Sequence, residues 1–421
     1  MITLQVNRIL SVLLIAVLVV PAIAIFTPAL AQGDTPPQGL RPDAPPYAVH
    51  GPYAVGTRQF VVEPDSERPV PLLVWYPALN PDGADDNYTY VVTVKWEPAP
   101  DLDTVVYGHA FPDAAPDLSS APYPVVVVSP GFGTNAAQYT YLTEHLASHG
   151  FVVVGVEHQE GVYFMDENPL KDGPPSYALR PADIRRTLDY AESLSATGGE
   201  LEGLLDLEKV AVTGHSSGGY TALAAAGARV DVEAMQRRCE AGRAEGDPHA
   251  EGCDWIEGFE AEIAALAGFD PMPEGLWPSM GDARVDAIIP MAGESFMYEQ
   301  DGLAHITVPV LAMQGTLDYF DWGAGPTFKY AASPQKALVA FEGAGHVIFG
   351  NNCAAMPWLV EADMWWMCLD PVWEQKRTND LVNHFTTAFL LDVLKGDAEA
   401  HAALAPDAVQ FPGILYEASG F

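Results

Sequence analysis

The sequence predicts an α/β protein built on a doubly wound, mostly parallel sheet. Three observations predict it. From about residue 55 the chain alternates apolar β-type runs with amphipathic helical stretches. Several of those runs are continuously apolar, Val125-Val126-Val127-Val128 most clearly. A strand reads this way when helices cover both faces of its sheet. Finally, 421 residues with 49% hydrophobic content can bury a full core.

The elements follow in order. Val70–Tyr76 reads as an early strand. Residues 80–121 form a long Pro/Asp-rich connection with one hairpin strand at Tyr90–Val94. Val125–Val128, Phe151–Val156 and Val210–Val212 come next, and Ala287–Ile289, Val310–Met313 and Ala337–Phe341 complete the strands. Between them, Pro181 suits a first helical turn, after which Ile184, Leu188, Ala191 and Leu194 recur on one face. Thr378 can cap a last helix carrying Leu381, Phe385, Phe389 and Leu394, with Gly396 as its stop. Residues 229–284 interrupt the rhythm, because they separate two strands that a single helix would otherwise join. They contain Cys239, Cys253, Trp255 and Trp277, and read as a mostly helical insertion over one end of the sheet.

The N-terminus sets the compartment. Residues 9–26 read ILSVLLIAVLVVPAIAIF after one charged side chain, Arg8, and Ala29-Leu30-Ala31 then supplies a small-x-small site. Residues 1–31 therefore read as a secretory signal peptide. The competing reading is a retained anchor, since the run approaches a spanning length. Pro21 and the A-x-A site favour cleavage, which leaves no stable membrane span. Residues 32–46 are Pro-rich and read as a linker, and 47–421 as the α/β domain. Export, whether to the medium, the periplasm or the cell envelope, places the four cysteines in an oxidising compartment. Three pairings are open, and the local pairs Cys239–Cys253 and Cys353–Cys368 are favoured. No C-x-x-C occurs, so a four-cysteine metal site fails on spacing, and no cofactor is expected.

Lys and Arg number 20 and Asp and Glu 56, a formal net charge of −36. Such a surface repels phosphate backbones and anionic headgroups, which disfavours nucleic-acid binding and electrostatic membrane docking. It suits solubility, and a neutral or zwitterionic substrate.

Chemistry enters at residues 210–219, VAVTGHSSGG. A strand ends at Thr213, Gly214-His215-Ser216-Ser217-Gly218 makes G-x-S-x-G, and Ala222, Ala224, Ala225 and Ala226 follow in a helix. The central serine of such a turn projects its hydroxyl from the sheet, and the flanking glycines let strand and helix backbones approach. Ser216 is thus the candidate nucleophile; Ser217 is the neighbouring hydroxyl, with a backbone role.

A serine needs a base, and the base an orienting carboxylate, in the chain order Ser, acid, His for this type of turn. Four histidines follow beyond the insertion: His305, His346, His384 and His401. His305 precedes any acid after its strand, His384 falls in the last helix, and His401 lies near the terminus. His346 sits in a small-residue loop, Glu342-Gly343-Ala344-Gly345-His346, just past a strand, and is the candidate base. For the acid, Asp318 in Gln314-Gly315-Thr316-Leu317-Asp318 follows the Val310–Met313 strand, with Asp321 as its rival. Ser129-Pro130-Gly131-Phe132-Gly133 is a glycine-flanked turn after another central strand. The backbone N–H groups of Phe132 and Ser217 are the expected oxyanion donors.

These stretches resemble the α/β-hydrolase superfamily. More narrowly they are similar to the platelet-activating-factor acetylhydrolase-like esterases, whose bacterial members are often labelled predicted dienelactone hydrolases. The matching residues are Val128–Gly133, Gly155-Val156-Glu157-His158, Arg180–Ile184, Gly214–Gly219, Asp282–Ala287, Gly315–Asp318 and Gly345-His346, in order over roughly residues 60–395. The resemblance implies a Ser216–Asp318–His346 triad that hydrolyses short acyl or oxidised acyl esters. The oxyanion turn begins Ser-Pro where many relatives have Ser-His. The nucleophile position holds Ser216 where true dienelactone hydrolases use cysteine.

Residues 349–377 hold Trp358, Trp365, Trp366 and Trp373 with Met356, Met364 and Met367. This segment reads either as an acyl-binding wall or as satellite core. Trp322, close to Asp318, and Trp358 are the candidate substrate contacts. Glu157 and His158 lack nearby partners for a metal and read as structural. The functional expectation is a secreted serine carboxylic-ester hydrolase acting on short-chain acyl esters, a small-molecule or lipid ester being its partner. A polyester- or cutin-type hydrolase or lipase is the alternative. A catalytically silent binding module on the same fold is the non-enzyme rival.

Overall fold

The four valines Val125–Val128 are fully buried, and they alternate between two hydrophobic cores. Val125 and Val127 face one core with Val210 and Val212, while Val126 and Val128 face the other with Ala211. That alternation follows from the two-residue period of a strand, and each fully buried valine contributes about 1.5–3 kcal/mol. The computed structural model describes residues 44–421 apart from 81, 95, 98–101, 161, 164–170, 319–322, 351–352 and 354–355. The signal peptide expected over 1–31 and most of the 32–46 linker lie outside the described residues. Of the expected linker, Pro46 opens a short 3-10 turn, Pro46–Ala48, that packs on the domain.

Among the described residues the main sheet has ten strands. Across the sheet they run Ile414–Ser419, Lys336–Phe341, Val310–Gly315, Val285–Met291, Leu205–His215, Tyr123–Ser129, Val152–Val156, Val70–Ala78, Ala54–Val62 and Ala110–Pro112. Pairing is parallel from Lys336–Phe341 through Val152–Val156. Val70–Ala78 and Ile414–Ser419 join this block antiparallel on either side. The expected hairpin strand is Tyr88–Val94, paired antiparallel with Leu102–Gly108 outside the main sheet.

Two helix starts differ from expectation. Pro181 lies inside the helix Gly173–Ser195 rather than in its first turn. Its missing N–H would have bonded the Tyr177 carbonyl, and the Tyr220 hydroxyl donates to that carbonyl instead, at 2.8 Å. The last helix, Gln375–Lys395, begins before Thr378, which is buried and lies inside it. Gly396 closes that helix in the left-handed conformation, φ 69°.

The insertion carries the helices Val232–Glu245 and Glu260–Leu266 with a 3-10 segment, Pro248–Trp255, between them. Cys239–Cys253 staples the first helix to the 3-10 segment, and Cys353–Cys368 closes the tryptophan-rich segment. No helix among the described residues is long and apolar enough to cross a membrane.

Candidate active site

The Leu205–His215 strand ends beside Tyr123–Ser129 and Val285–Met291, and the chain then turns sharply at Ser216. Ser216 adopts φ 58°, ψ −123°, a left-handed backbone costly for a residue with a Cβ. It is held there by three backbone bonds. Its N–H donates to Met291 O at 2.9 Å, and its carbonyl accepts from Gly219 and Tyr220. The glycines are required by contact. A Cβ on Gly214 or Gly218 would run into the carbonyl oxygen of Ser129. The helix Ser217–Ala225 starts directly behind Ser216, so its N-terminal partial charge favours an anion at the turn.

Asp318 and His346 come from the neighbouring strand ends. The turn after Val310–Gly315 is fastened to the histidine loop by Thr316 N–H to Phe341 O and Leu317 N–H to Ala344 O, at 3.0 and 2.9 Å. This sets Asp318 Oδ2 2.7 Å from His346 Nδ1. Asp318 is buried, and it fixes the tautomer: Nδ1–H donates to the carboxylate, which leaves Nε2 as the basic nitrogen. Asp321, the rival acid, and Trp322 lie outside the described residues.

Ser216 and His346 line one cleft of about 440 Å³ with Phe132 and Ser217. Among the described residues, neither the Phe132 nor the Ser217 backbone N–H donates to a protein acceptor. Two orphan donors beside a serine hydroxyl are suited to an oxyanion. The Phe132 turn is clamped from behind. The Arg180 guanidinium donates to Pro130 O at 2.6 Å and to Gly131 O at 3.2 Å. Glu160 pairs with that guanidinium and accepts the Gly133 N–H at 3.2 Å.

His215 ties the turn, the elbow and the histidine loop together. Its Nε2–H donates to His346 O at 2.9 Å, and its Nδ1 accepts from the Tyr139 hydroxyl at 3.0 Å. The Gly131 N–H donates in turn to Tyr139 Oη at 3.3 Å. Burial, and next the nearby His346, push the His215 pKa down to about 3.

A second serine–histidine–aspartate array lies nearby. His158 Nε2 is 2.9 Å from Ser129 Oγ, and its Nδ1 is 2.9 Å from Asp183 Oδ2. Ser129 and Asp183 are fully buried, and none of the three lines the cleft. This array supports the oxyanion turn from within. No cluster of three or more metal-ligating side chains occurs among the described residues.

Two segments build much of the cleft wall. The insertion supplies Gly252 and Trp255, and Trp255 meets the Phe132 ring edge-on at 5.8 Å. The disulfide-closed segment supplies Met356, Met364, Trp366 and Met367. Trp358 does not line the cleft; it is half-buried against the core, because its helix turns Leu359 and Trp358 inward. Sequence reasoning named His215 and Arg180 only within motif stretches, without these roles, and did not single out Tyr139, Glu160 or Glu294. The x position of G-x-S-x-G was the available signal for His215. The others act across elements far apart in the chain.

The family described as PET hydrolase-like matches residues 112–239. The chain is similar to platelet-activating factor acetylhydrolase of Canis lupus familiaris, 31% identical over 140 residues, 24% of this chain and 32% of that one. It is also similar to cutinase est1 of Thermobifida alba, 32% identical over 112 residues, 27% of this chain and 33% of that one. The chain thus spans about a third of the length of the curated relatives it matches. Among solved structures it resembles in fold a ferulic acid esterase from Streptomyces cinnamoneus, with TM-score 0.54 and 22% identity, over 87% of this chain and 96% of that one.

Proposed function

We propose that this chain, whose fold is that of an α/β-hydrolase, is a secreted serine carboxylic-ester hydrolase of short-chain acyl esters. The observation that carries the reading is the strained Ser216 in one cleft with His346, whose Nδ1 is 2.7 Å from Asp318. In this reading Ser216 Oγ attacks the ester carbonyl while His346 Nε2 takes its proton. The Phe132 and Ser217 N–H groups hold the oxyanion. His346 returns the proton to the leaving alcohol, and an acyl-enzyme remains. Water, activated by the same nitrogen, then releases the acid. Asp318 orients the imidazole and stabilises its charged form without taking the proton. The two disulfides and the apolar N-terminal run support export. Turnover of p-nitrophenyl acetate or butyrate by the purified protein is the test, and silence on both esters overturns the reading.

A polyester- or cutin-type substrate is the second reading. It is favoured by the exposed apolar rim of Trp365, Trp366 and Leu369, continuous with the cleft wall. Rates on a polymer film against a soluble butyrate ester separate the two.

A further inference from the structure

Among the described residues that line the cleft, Glu294 carries the one carboxylate and none is Lys or Arg. The surrounding walls are aromatic and apolar, with Phe132, Tyr177, Trp255, Phe296 and Trp366 among them. Glu294 Oε1 accepts the Ser217 hydroxyl at 2.9 Å, and Oε2 accepts the Tyr177 hydroxyl at 2.5 Å. These two neutral donors fix the orientation of the carboxylate without supplying a countercharge. Each oxygen also keeps lone-pair capacity toward the cleft. Glu294 is half-buried beside Ser217, whose N–H is an oxyanion donor in the reading above, so a cation entering the cleft meets a fixed carboxylate between apolar walls.

We propose that Glu294 makes this cleft selective for esters that carry an ammonium group, which the aromatic walls share. The inference rests on the ester-hydrolase reading for the word ester, but the cation site stands on Glu294 and the walls. Aromatic faces attract ammonium groups, and the charge of −36 raises the local concentration of cations. The same features repel an ester bearing a carboxylate.

The test uses the Ser216→Ala protein, which binds without turnover. Tryptophan fluorescence gives Kd for butyrylcholine and for its uncharged carbon isostere, 3,3-dimethylbutyl butyrate. Measurements at about 0.5 M salt screen the surface field and leave the contact charge. The expected result is that butyrylcholine binds about tenfold more tightly. Adding Glu294→Gln, which keeps the size and an acceptor oxygen, brings the two esters to within about twofold. Equal binding in Ser216→Ala alone overturns the proposal, whatever the double variant does. A tenfold preference that survives Glu294→Gln overturns it as well. Hydrolysis of the neutral isostere by the unaltered protein tests the other reading separately: turnover without the binding preference removes only the cation site.

Discussion

His215 Nε2 stands 2.9 Å from the carbonyl oxygen of His346, and the two imidazole rings lie 4.7 Å apart centre to centre. The residue before Ser216 therefore holds the loop that carries the candidate base. Through Tyr139 it also reaches Gly131, at the start of the oxyanion turn. Because its pKa is pushed down to about 3, the ring stays neutral near neutral pH and Nδ1 stays an acceptor. One chain of hydrogen bonds thus spans three loops that the reaction needs in register.

Tyr139→Phe cuts that chain without changing the ring. It leaves the Gly131 N–H and His215 Nδ1 unpaired, at about 1–3 kcal/mol. Steady-state kinetics on p-nitrophenyl butyrate are expected to show kcat reduced about tenfold with KM little changed. An unchanged kcat would remove Tyr139 from any positioning role.

The segment closed by Cys353–Cys368 carries Met356, Met364, Trp366 and Met367 into the cleft. With the cysteines 15 positions apart in the chain, the bridge is worth about 3 kcal/mol in the chain-entropy account. Replacing both with serine is expected to lower Tm and to reduce kcat/KM on p-nitrophenyl octanoate more than on the acetate. An equal loss on both esters would take the segment out of the acyl path.

Glu144 is buried, and accepts the Tyr90 hydroxyl at 2.7 Å and the His109 N–H at 2.8 Å. Burial raises its pKa to about 7. A carboxyl whose folded pKa is raised binds its proton more tightly when native. Its contribution to stability is complete below the ordinary value of about 4.5, and is lost as pH rises through about 7. The unaltered protein should therefore lose up to about 3 kcal/mol relative to Glu144→Gln between pH 4.5 and 8. Denaturant titrations of both proteins at the two pH values check this. A stability gap that does not change with pH contradicts it.

The central parallel strands are legible in the sequence because burial on both faces leaves continuous apolar runs such as Val125–Val128. The outer strands are not. Ile414–Ser419 alternates half-buried and exposed positions, and Ala54–Val62 mixes Gly, Thr, Arg and Gln into its run. Pro181 misleads because the usual consequence of its missing N–H is cancelled by Tyr220, which lies 43 residues from Tyr177 in the chain. The positions of Ser216, Asp318 and His346 on one sheet edge are readable because each follows a strand in a small-residue turn. Glu294, Arg180 and Tyr139 are not readable in the same way. Their partners arrive from other elements, Ser217 lying 77 residues from Glu294 and His215 76 from Tyr139.

In the proposed reaction Ser216, and not another hydroxyl, becomes acylated. Ser129 supplies an internal comparison, since it too has a histidine and an aspartate in line but is fully buried. The most direct measurement treats the protein with a fluorophosphonate and maps the adduct by peptide mass spectrometry, alongside hydrolysis of p-nitrophenyl butyrate by Ser216→Ala. One adduct is expected, on the peptide containing Ser216 and absent in Ser216→Ala, with turnover in that variant reduced by about a thousandfold or more. An adduct on Ser129 or Ser217, or undiminished turnover in Ser216→Ala, would contradict acylation at Ser216.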